Sequence, residues 1–399
     1  MTTADQAQDL AVLGGARAFA EPLHVGRPNL GDRAAFTRMV EDVLDRRWLT
    51  NDGPLVREFE EQVASISEAR HCIAVANGTL AATLLLDTMG LRGSAVVPSF
   101  TFIATPHAAE WAGLDAVFAD IEEDTHHLYQ SSVTSALTPE TAVVVGVHLW
   151  GGILDAKSLD ISELDGIPLV YDAAHAFGST LHGRGIGAHG VASTLSFHAT
   201  KFINTFEGGA VLTDDDALAA ELRLRRNFGF AGYDEVTRLG TNAKLNEVSA
   251  AQGLSMLAVM QHIVEHNHAV LERYRNRLAQ VPGITLWDPG ATRTNGQYVV
   301  TQVDAEEFGL SRDELVDALW ADNVRARRYF YPGCHRMSPY RERGSDVADS
   351  LQATERVAKQ VMVLPTGTAM TLADVTVVCD LIARAHDRAP AIGRALRAP

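Results

Sequence analysis

Short runs of β-branched and aliphatic residues alternate with helical periodicities through the first two-thirds of the chain. Over residues 32–47 the apolar positions Phe36, Met39, Val40, Val43 and Leu44 recur at helical spacing. A second helix is predicted from Pro54 to about residue 67, with proline at its first turn and Phe59 and Val63 on its apolar face. Strands are predicted over 72–76, 95–98, 116–119, 142–148, 169–171, 194–197 and 210–213, and further helices over 80–89, 103–112 and 216–226. Strands that alternate with helices imply an α/β fold, a mostly parallel sheet covered on both faces. Ligands of such sheets bind beyond the carboxyl ends of the strands, where this sequence puts Asn77, Thr79, Ser99, His148, Asp172, His175 and, past Ser196, Lys201.

Beyond residue 213 the pattern changes. A helix over 248–257, rich in Ala and Leu, is expected to run on into a long helix bearing Met260, Ile263, Val264, Val270 and Tyr274. From about residue 284 an α+β pattern follows, with a strand over 297–303, a helix over 311–322, the segment 325–331, a loop over 332–343, the apolar segment 361–365 and a last helix over 372–385. The expected organisation is an extended N-terminal arm over 1–30, a large domain over 31–265 and a smaller α+β domain over 266–399.

Composition narrows the class. The chain has 399 residues, 46% of them hydrophobic and 21% charged, which is a globular rather than a disordered balance. Its net charge of −16 opposes nucleic acid or an anionic membrane as partner, so any bound phosphate must be held by local donors. Cys72, Cys334 and Cys379 lie far apart and in no metal-ligand spacing, which predicts free thiols in a reducing compartment and no metal site. Without a targeting segment or a run of about 18 apolar residues, the expected location is cytoplasmic.

Two residues carry the chemistry. Only four of the 34 basic residues are lysines (Lys157, Lys201, Lys244 and Lys359), so arginine supplies the ordinary surface charge. Lys201 falls on an irregular turn between two apolar strands, where desolvation would lower its pKa and suit it to imine formation; taken alone, it fits a surface lysine as well. Asp172 closes a very apolar strand, where a carboxylate needs a cationic partner or a helix N-terminus to cap. The turn Asn77, Gly78, Thr79 between a strand and a helix is a ready phosphate site, although such turns are common in α/β proteins. Together a loop lysine, a strand-end acid and a phosphate turn describe a pyridoxal phosphate site, the acid keeping the pyridine nitrogen protonated.

The matching text extends well beyond these residues. It includes Trp48 to Pro54, Phe59-Glu60, Ala76 to Thr79, Pro98 to Phe102, Val147 to Gly151, Asp172 to Ala176, Ser196 to Lys201, Glu207 to Gly209, Gly240 to Lys244, Tyr331-Pro332 and Leu364-Pro365. Over residues 23–382 the sequence resembles the DegT/DnrJ/StrS sugar aminotransferases. The resemblance implies a fold type I pyridoxal phosphate-dependent transferase, aspartate aminotransferase-like, with a seven-stranded sheet and a small α+β C-terminal domain. It makes Lys201 the Schiff-base residue and Asp172 the partner of the pyridine nitrogen. Gly78, Thr79 and Ser196 would hold the phosphate, Phe102 would stack on the ring and His175 would sit near its hydroxyl, where many members have glutamine. Asn227 matches a position that reaches the neighbouring subunit's cofactor, which implies a homodimer with shared sites. Thr50, Asn51, Trp150, Lys244, Tyr329 and Tyr331 fall on loops expected to border a large opening suited to a nucleotide sugar.

The implied reaction is ping-pong transfer of the amino group of L-glutamate to C4 of dTDP-4-dehydro-6-deoxy-D-glucose, as on the route to desosamine-type sugars. A C3 keto sugar or a cyclitol ketone is the alternative substrate within the family. A non-catalytic cofactor-binding regulator is the alternative outside it, and the acidic charge and the lack of an appended DNA-binding helix pair count against that. Lysine at position 201 also separates the chain from a dehydratase branch that has histidine there.

Overall fold

Seven strands form the central sheet of the computed structural model, which describes residues 9–159, 166–342 and 347–397. They are β1 His71–Val75, β2 Gly93–Pro98, β3 Leu114–Ala119, β4 Thr141–Val147, β5 Leu169–Asp172, β6 Ala192–Ser196 and β7 Gly209–Thr213, in the spatial order β1-β7-β6-β5-β4-β2-β3. Every neighbouring pair is parallel except those of β7, which runs antiparallel to both β1 and β6. The first eight residues of the expected arm, residue 343 of the expected loop and the last two residues lie outside the described residues.

Alternation along each strand covers both faces. Cys72, Ala74, Leu195, Ala210 and Leu212 pack with Phe59, Val63 and Leu254 on one side, whereas Ile73, Val75, Val97, Val145, Val170 and Val211 pack with Leu84 and Leu85 on the other. Helix starts follow local chemistry. Asp32 accepts from Ala34 N and Ala35 N at 2.9 and 3.0 Å to open helix Arg33–Arg46, and Asn77 Oδ1 accepts from Leu80 N at 2.8 Å to open helix Gly78–Thr88. Helix Pro54–Ser67 is capped from a distance instead: the buried carboxylate of Glu247 accepts from Leu55 N and Val56 N and pairs with Arg46. A Cβ on Gly53 would lie 2.3 Å from Glu247 Cδ, which is why the loop before Pro54 has glycine there.

A second, three-stranded antiparallel sheet joins β8 Ile284–Leu286, β9 Val299–Val303 and β10 Val361–Leu364 in that order. Its core, with Val299, Val303, Met362 and Leu364, packs against Tyr274, Leu278, Leu315, Leu319, Val375 and Ile382. The arm lies against this half: Leu23–His24 pairs in parallel with Val324–Arg325, and Asp322 accepts from Ala11 N and Ala18 N. Asp120, just past β3, ties the halves together by accepting from Ala353 N, Thr354 N and Thr354 Oγ1 at 2.8–2.9 Å at the start of helix Gln352–Gln360.

Several expectations change. The long helix is two, Glu247–Leu257 and Met260–Leu278, because Val259 N turns to the i−3 carbonyl of Met256 and leaves the helical ladder. Only Val324–Arg325 of the segment 325–331 and its surroundings is a strand. Three elements fall outside the expectations: a polar helix, Gln130–Ala136, a hairpin made by Thr180–Leu181 and Arg184–Gly185, and a short terminal helix, Ala389–Arg397, that buries Ala389 and Ile392. The three cysteines are free and buried, as small apolar residues are. Among the described residues no helix is long and apolar enough to cross a membrane.

Candidate active site

The carboxyl ends of β4, β5, β6 and β1 meet the helix and loop starts that carry polar side chains. Register puts Asp172 beside Val147 on one side and Thr194 on the other, and Gly209 beside both Ser196 and Val75. Lys201 occupies the turn between β6 and β7, which is closed by Phe197 N on Gly208 O at 2.8 Å and Thr205 N on Phe197 O at 2.9 Å. Its Nζ donates to Tyr298 Oη at 3.4 Å. Desolvation pushes the lysine down to about 8, opposed by the negative charge of Asp172. At that value about half the amine is neutral near pH 8, whereas a solvated lysine would be almost wholly charged.

Asp172 is fixed by two donors: Ala174 N on Oδ1 at 3.1 Å and Thr105 Oγ1 on Oδ2 at 2.7 Å. His175 follows on the same turn, which Asn295 Nδ2 holds by donating to the carbonyls of His175 and Phe177 at 3.0 and 3.1 Å. Burial, with the charge of Lys201 acting in the same direction, pushes His175 well below the ordinary histidine range, so its ring is neutral. Its Nδ1 accepts from Trp150 N at 3.3 Å, which leaves the proton on Nε2. The ring is packed between Tyr298, with centroids 4.2 Å apart, and Trp150, at 5.6 Å.

An anion cradle adjoins this cluster. Gly78 and Thr79 are the first two residues of their helix, so their N–H groups have no intrahelical carbonyl and the helix dipole points its positive end outward. Ser196 ends β6 against them. A Cβ on Gly78 would come within 2.8 Å of Ser196 Cβ, so glycine is what lets the helix start and the serine approach. A buried amine about half neutral near pH 8, a fixed carboxylate, a neutral imidazole protonated on Nε2 and an anion cradle are the set of groups that a phosphorylated pyridine aldehyde requires, and the residues present fit it.

The sequence pattern of the DegT/DnrJ/EryC1/StrS aminotransferase family matches residues 31–383. The chain belongs to that family. This sugar aminotransferase is 33% identical over 347 residues, 86% of this chain and 94% of the relative, to the dTDP-4-amino-4,6-dideoxy-D-glucose transaminase of Shigella dysenteriae. Among solved structures it is similar to DesI, crystallised in the presence of its TDP-sugar product, with a TM-score of 0.93 and 44% identity over 98% of this chain and 100% of that one. S. venezuelae DesV is 30% identical with a TM-score of 0.83, covering 89% of this chain and 95% of that one. The fold of the aminotransferase is fold type I.

The other residues expected at the site fall into three places. Asn51, Asn227 and Lys244 line a separate cavity of about 490 Å³ with Asp52, Arg223 and Arg226. There Lys244 Nζ donates to Asn227 Oδ1 at 2.9 Å, and Arg226 bridges Glu60 and Asp52 at 2.5 and 3.2 Å. Among the described residues no hydrogen bond or ring contact links that cavity to Lys201. Thr50 is half-buried beside it in sequence. Phe102 is 56% exposed on the turn before helix Ala104–Trp111, and Tyr331 is half exposed beneath the guanidinium of Arg312 at 5.3 Å.

Trp150 is only 1% exposed and lies in the packing beneath His175 rather than at an opening, with Nε1 donating to His126 Nδ1 at 3.0 Å. Tyr329 stacks on Phe330 and Trp150 under the guanidinium of Arg327, while Arg328 is engaged by Asp313 and Asp317. Sequence reasoning missed Tyr298 and Thr105. Neither stands out locally: one is an aromatic at the edge of an apolar strand, the other a threonine in the first turn of a helix.

Proposed function

We propose that this aminotransferase binds pyridoxal 5′-phosphate at Lys201 and transfers the amino group of L-glutamate to C4 of dTDP-4-dehydro-6-deoxy-D-glucose, giving dTDP-4-amino-4,6-dideoxy-D-glucose. The observation that carries the cofactor assignment is the desolvated Lys201 amine beside Asp172, with a helix N-terminus and Ser196 forming an anion cradle nearby. The likeness to a transaminase named for the 4-amino sugar, and to DesI with its TDP-sugar product, supports the substrate.

When bound, pyridoxal phosphate supplies an electron sink that labilises the α-hydrogen of an amino acid and carries nitrogen between donor and ketone. The chain's residues divide the remaining work. Gly78 N, Thr79 N and Ser196 Oγ would hold the phosphate, which leaves Lys201 for its own task. Asp172 would hold a proton at the pyridine nitrogen. His175 would offer Nε2–H to the ring hydroxyl, and its neutrality avoids a second positive charge beside Lys201. Lys201 Nζ, about half neutral near pH 8, would take the proton from the α-carbon of glutamate and return one to C4 of the sugar in the second half-reaction. Phe102, exposed on its turn, would cover the ring.

Assay of the purified protein with glutamate and either the 4-keto or the 3-keto dTDP sugar tests this reading. Amination of the 4-keto sugar, with the amino carbon assigned by NMR, is the expected outcome. Turnover of the 3-keto compound alone would move the protein to the other branch of substrates.

A further inference from the structure

We infer that Thr105 is a positioning residue for Asp172, aiming its carboxylate through a chain of two hydroxyls that begins at Thr101. The inference rests on the cofactor reading above. Thr101 and Thr105 are 2% and 3% exposed, so neither hydroxyl can turn to bulk water. Thr105 Oγ1 lies 2.7 Å from Asp172 Oδ2 and 3.0 Å from Thr101 Oγ1.

Counting hydrogens fixes the direction. An ionised carboxylate only accepts, so the single Thr105 hydrogen goes to Asp172. Thr105 Oγ1 is then the acceptor in its contact with Thr101, and the Thr101 hydroxyl must be the donor. A threonine in a helix ordinarily returns its hydroxyl to the i−3 or i−4 carbonyl. Thr105, the second residue of helix Ala104–Trp111, reaches instead across 67 positions of sequence to the acid.

With Ala174 N on Oδ1 and Thr105 on Oδ2, each oxygen has one fixed donor and the carboxylate plane cannot rotate. What remains free on the carboxylate is aimed by that plane. The turn that carries the two threonines is itself fastened to the second half of the chain: Cys334 Sγ donates to Thr101 O at 3.3 Å, and Ser99 Oγ bonds His335 Nδ1 at 2.7 Å. Phe102 sits between the threonines on the same turn, so one rigid segment would set both the face of the ring and the acid at its nitrogen.

The test compares Thr105→Val, which keeps the shape and removes the hydroxyl, with Thr105→Ser, which restores it. Two quantities are measured: the dissociation constant of the apoprotein for pyridoxal phosphate, by tryptophan fluorescence, and kcat and KM for the keto sugar. A hydrogen bond to a charged group predicts roughly tenfold weaker cofactor binding and roughly tenfold lower kcat in Thr105→Val. The KM for the sugar should be unchanged, and Thr105→Ser should recover most of both losses. A Thr105→Val protein with wild-type cofactor affinity and kcat overturns the inference, as does a Thr105→Ser protein no better than Thr105→Val. Lys201→Ala and Asp172→Asn in the same titration separate the two levels. If they also bind as wild type, the cofactor reading itself is wrong; if they bind weakly while Thr105→Val does not, only the role of Thr105 falls.

Discussion

Lys201→Ala is expected to abolish amino transfer, with a loss on the order of 10⁴-fold or more, since nucleophile and proton carrier are removed together. The fold should survive. Among the described residues Lys201 makes one long side-chain hydrogen bond, to Tyr298 at 3.4 Å, and its turn is closed by backbone bonds of Phe197 and Thr205 that the substitution leaves in place. Cost and benefit therefore separate: the lysine is desolvated at some expense to stability, and a smaller neutral residue relieves it. Measured together, turnover should vanish while the thermal midpoint stays the same or rises slightly. The long-wavelength absorbance of the cofactor-loaded protein should be lost as well. A variant that still cycles with glutamate would show that another group carries the nitrogen.

Asp172→Asn should be the second largest change, a fall in kcat on the order of 10²–10³-fold, the usual cost of removing one preorganised electrostatic group. The substitution is nearly isosteric but reverses the hydrogen-bond logic. Asp172 accepts on both oxygens, from Ala174 N and from Thr105 Oγ1. An amide has one acceptor oxygen, so the Thr105 hydroxyl must turn and accept from the new NH₂ group if Ala174 keeps its bond. The face toward the ring then presents N–H where a carboxylate had accepted, and the pyridine nitrogen stays unprotonated. Some cofactor should remain bound through the phosphate cradle, so a weakened dissociation constant with a much lower kcat is the expected pair. Wild-type kcat in this variant would contradict the role given to Asp172.

Most of the sheet was legible because its signals are local. Asp32 and Asn77 cap their helices by bonds within three residues, Pro54 opens the next, and the apolar runs ending at Asp172 and Ser196 have strand length. The break between Leu257 and Met260 was not legible, since Ala258 and Val259 are not helix breakers and the ladder is interrupted by a single i−3 turn. Lys201 stood out because lysine is scarce and its neighbours are small or apolar. Thr105 and Tyr298 did not, because their partners lie 67 and 97 positions away and no local pattern encodes those distances. Trp150 shows the opposite failure: a strand-end aromatic was expected at an opening, yet His126 and His175 draw it into the packing.

One lysine among four would carry the cofactor. Borohydride reduction of the protein loaded with pyridoxal phosphate, followed by peptide mapping, should find the pyridoxyl group on Lys201 alone. Label on Lys244, Lys157 or Lys359 in its place, or no label at all, would contradict the assignment.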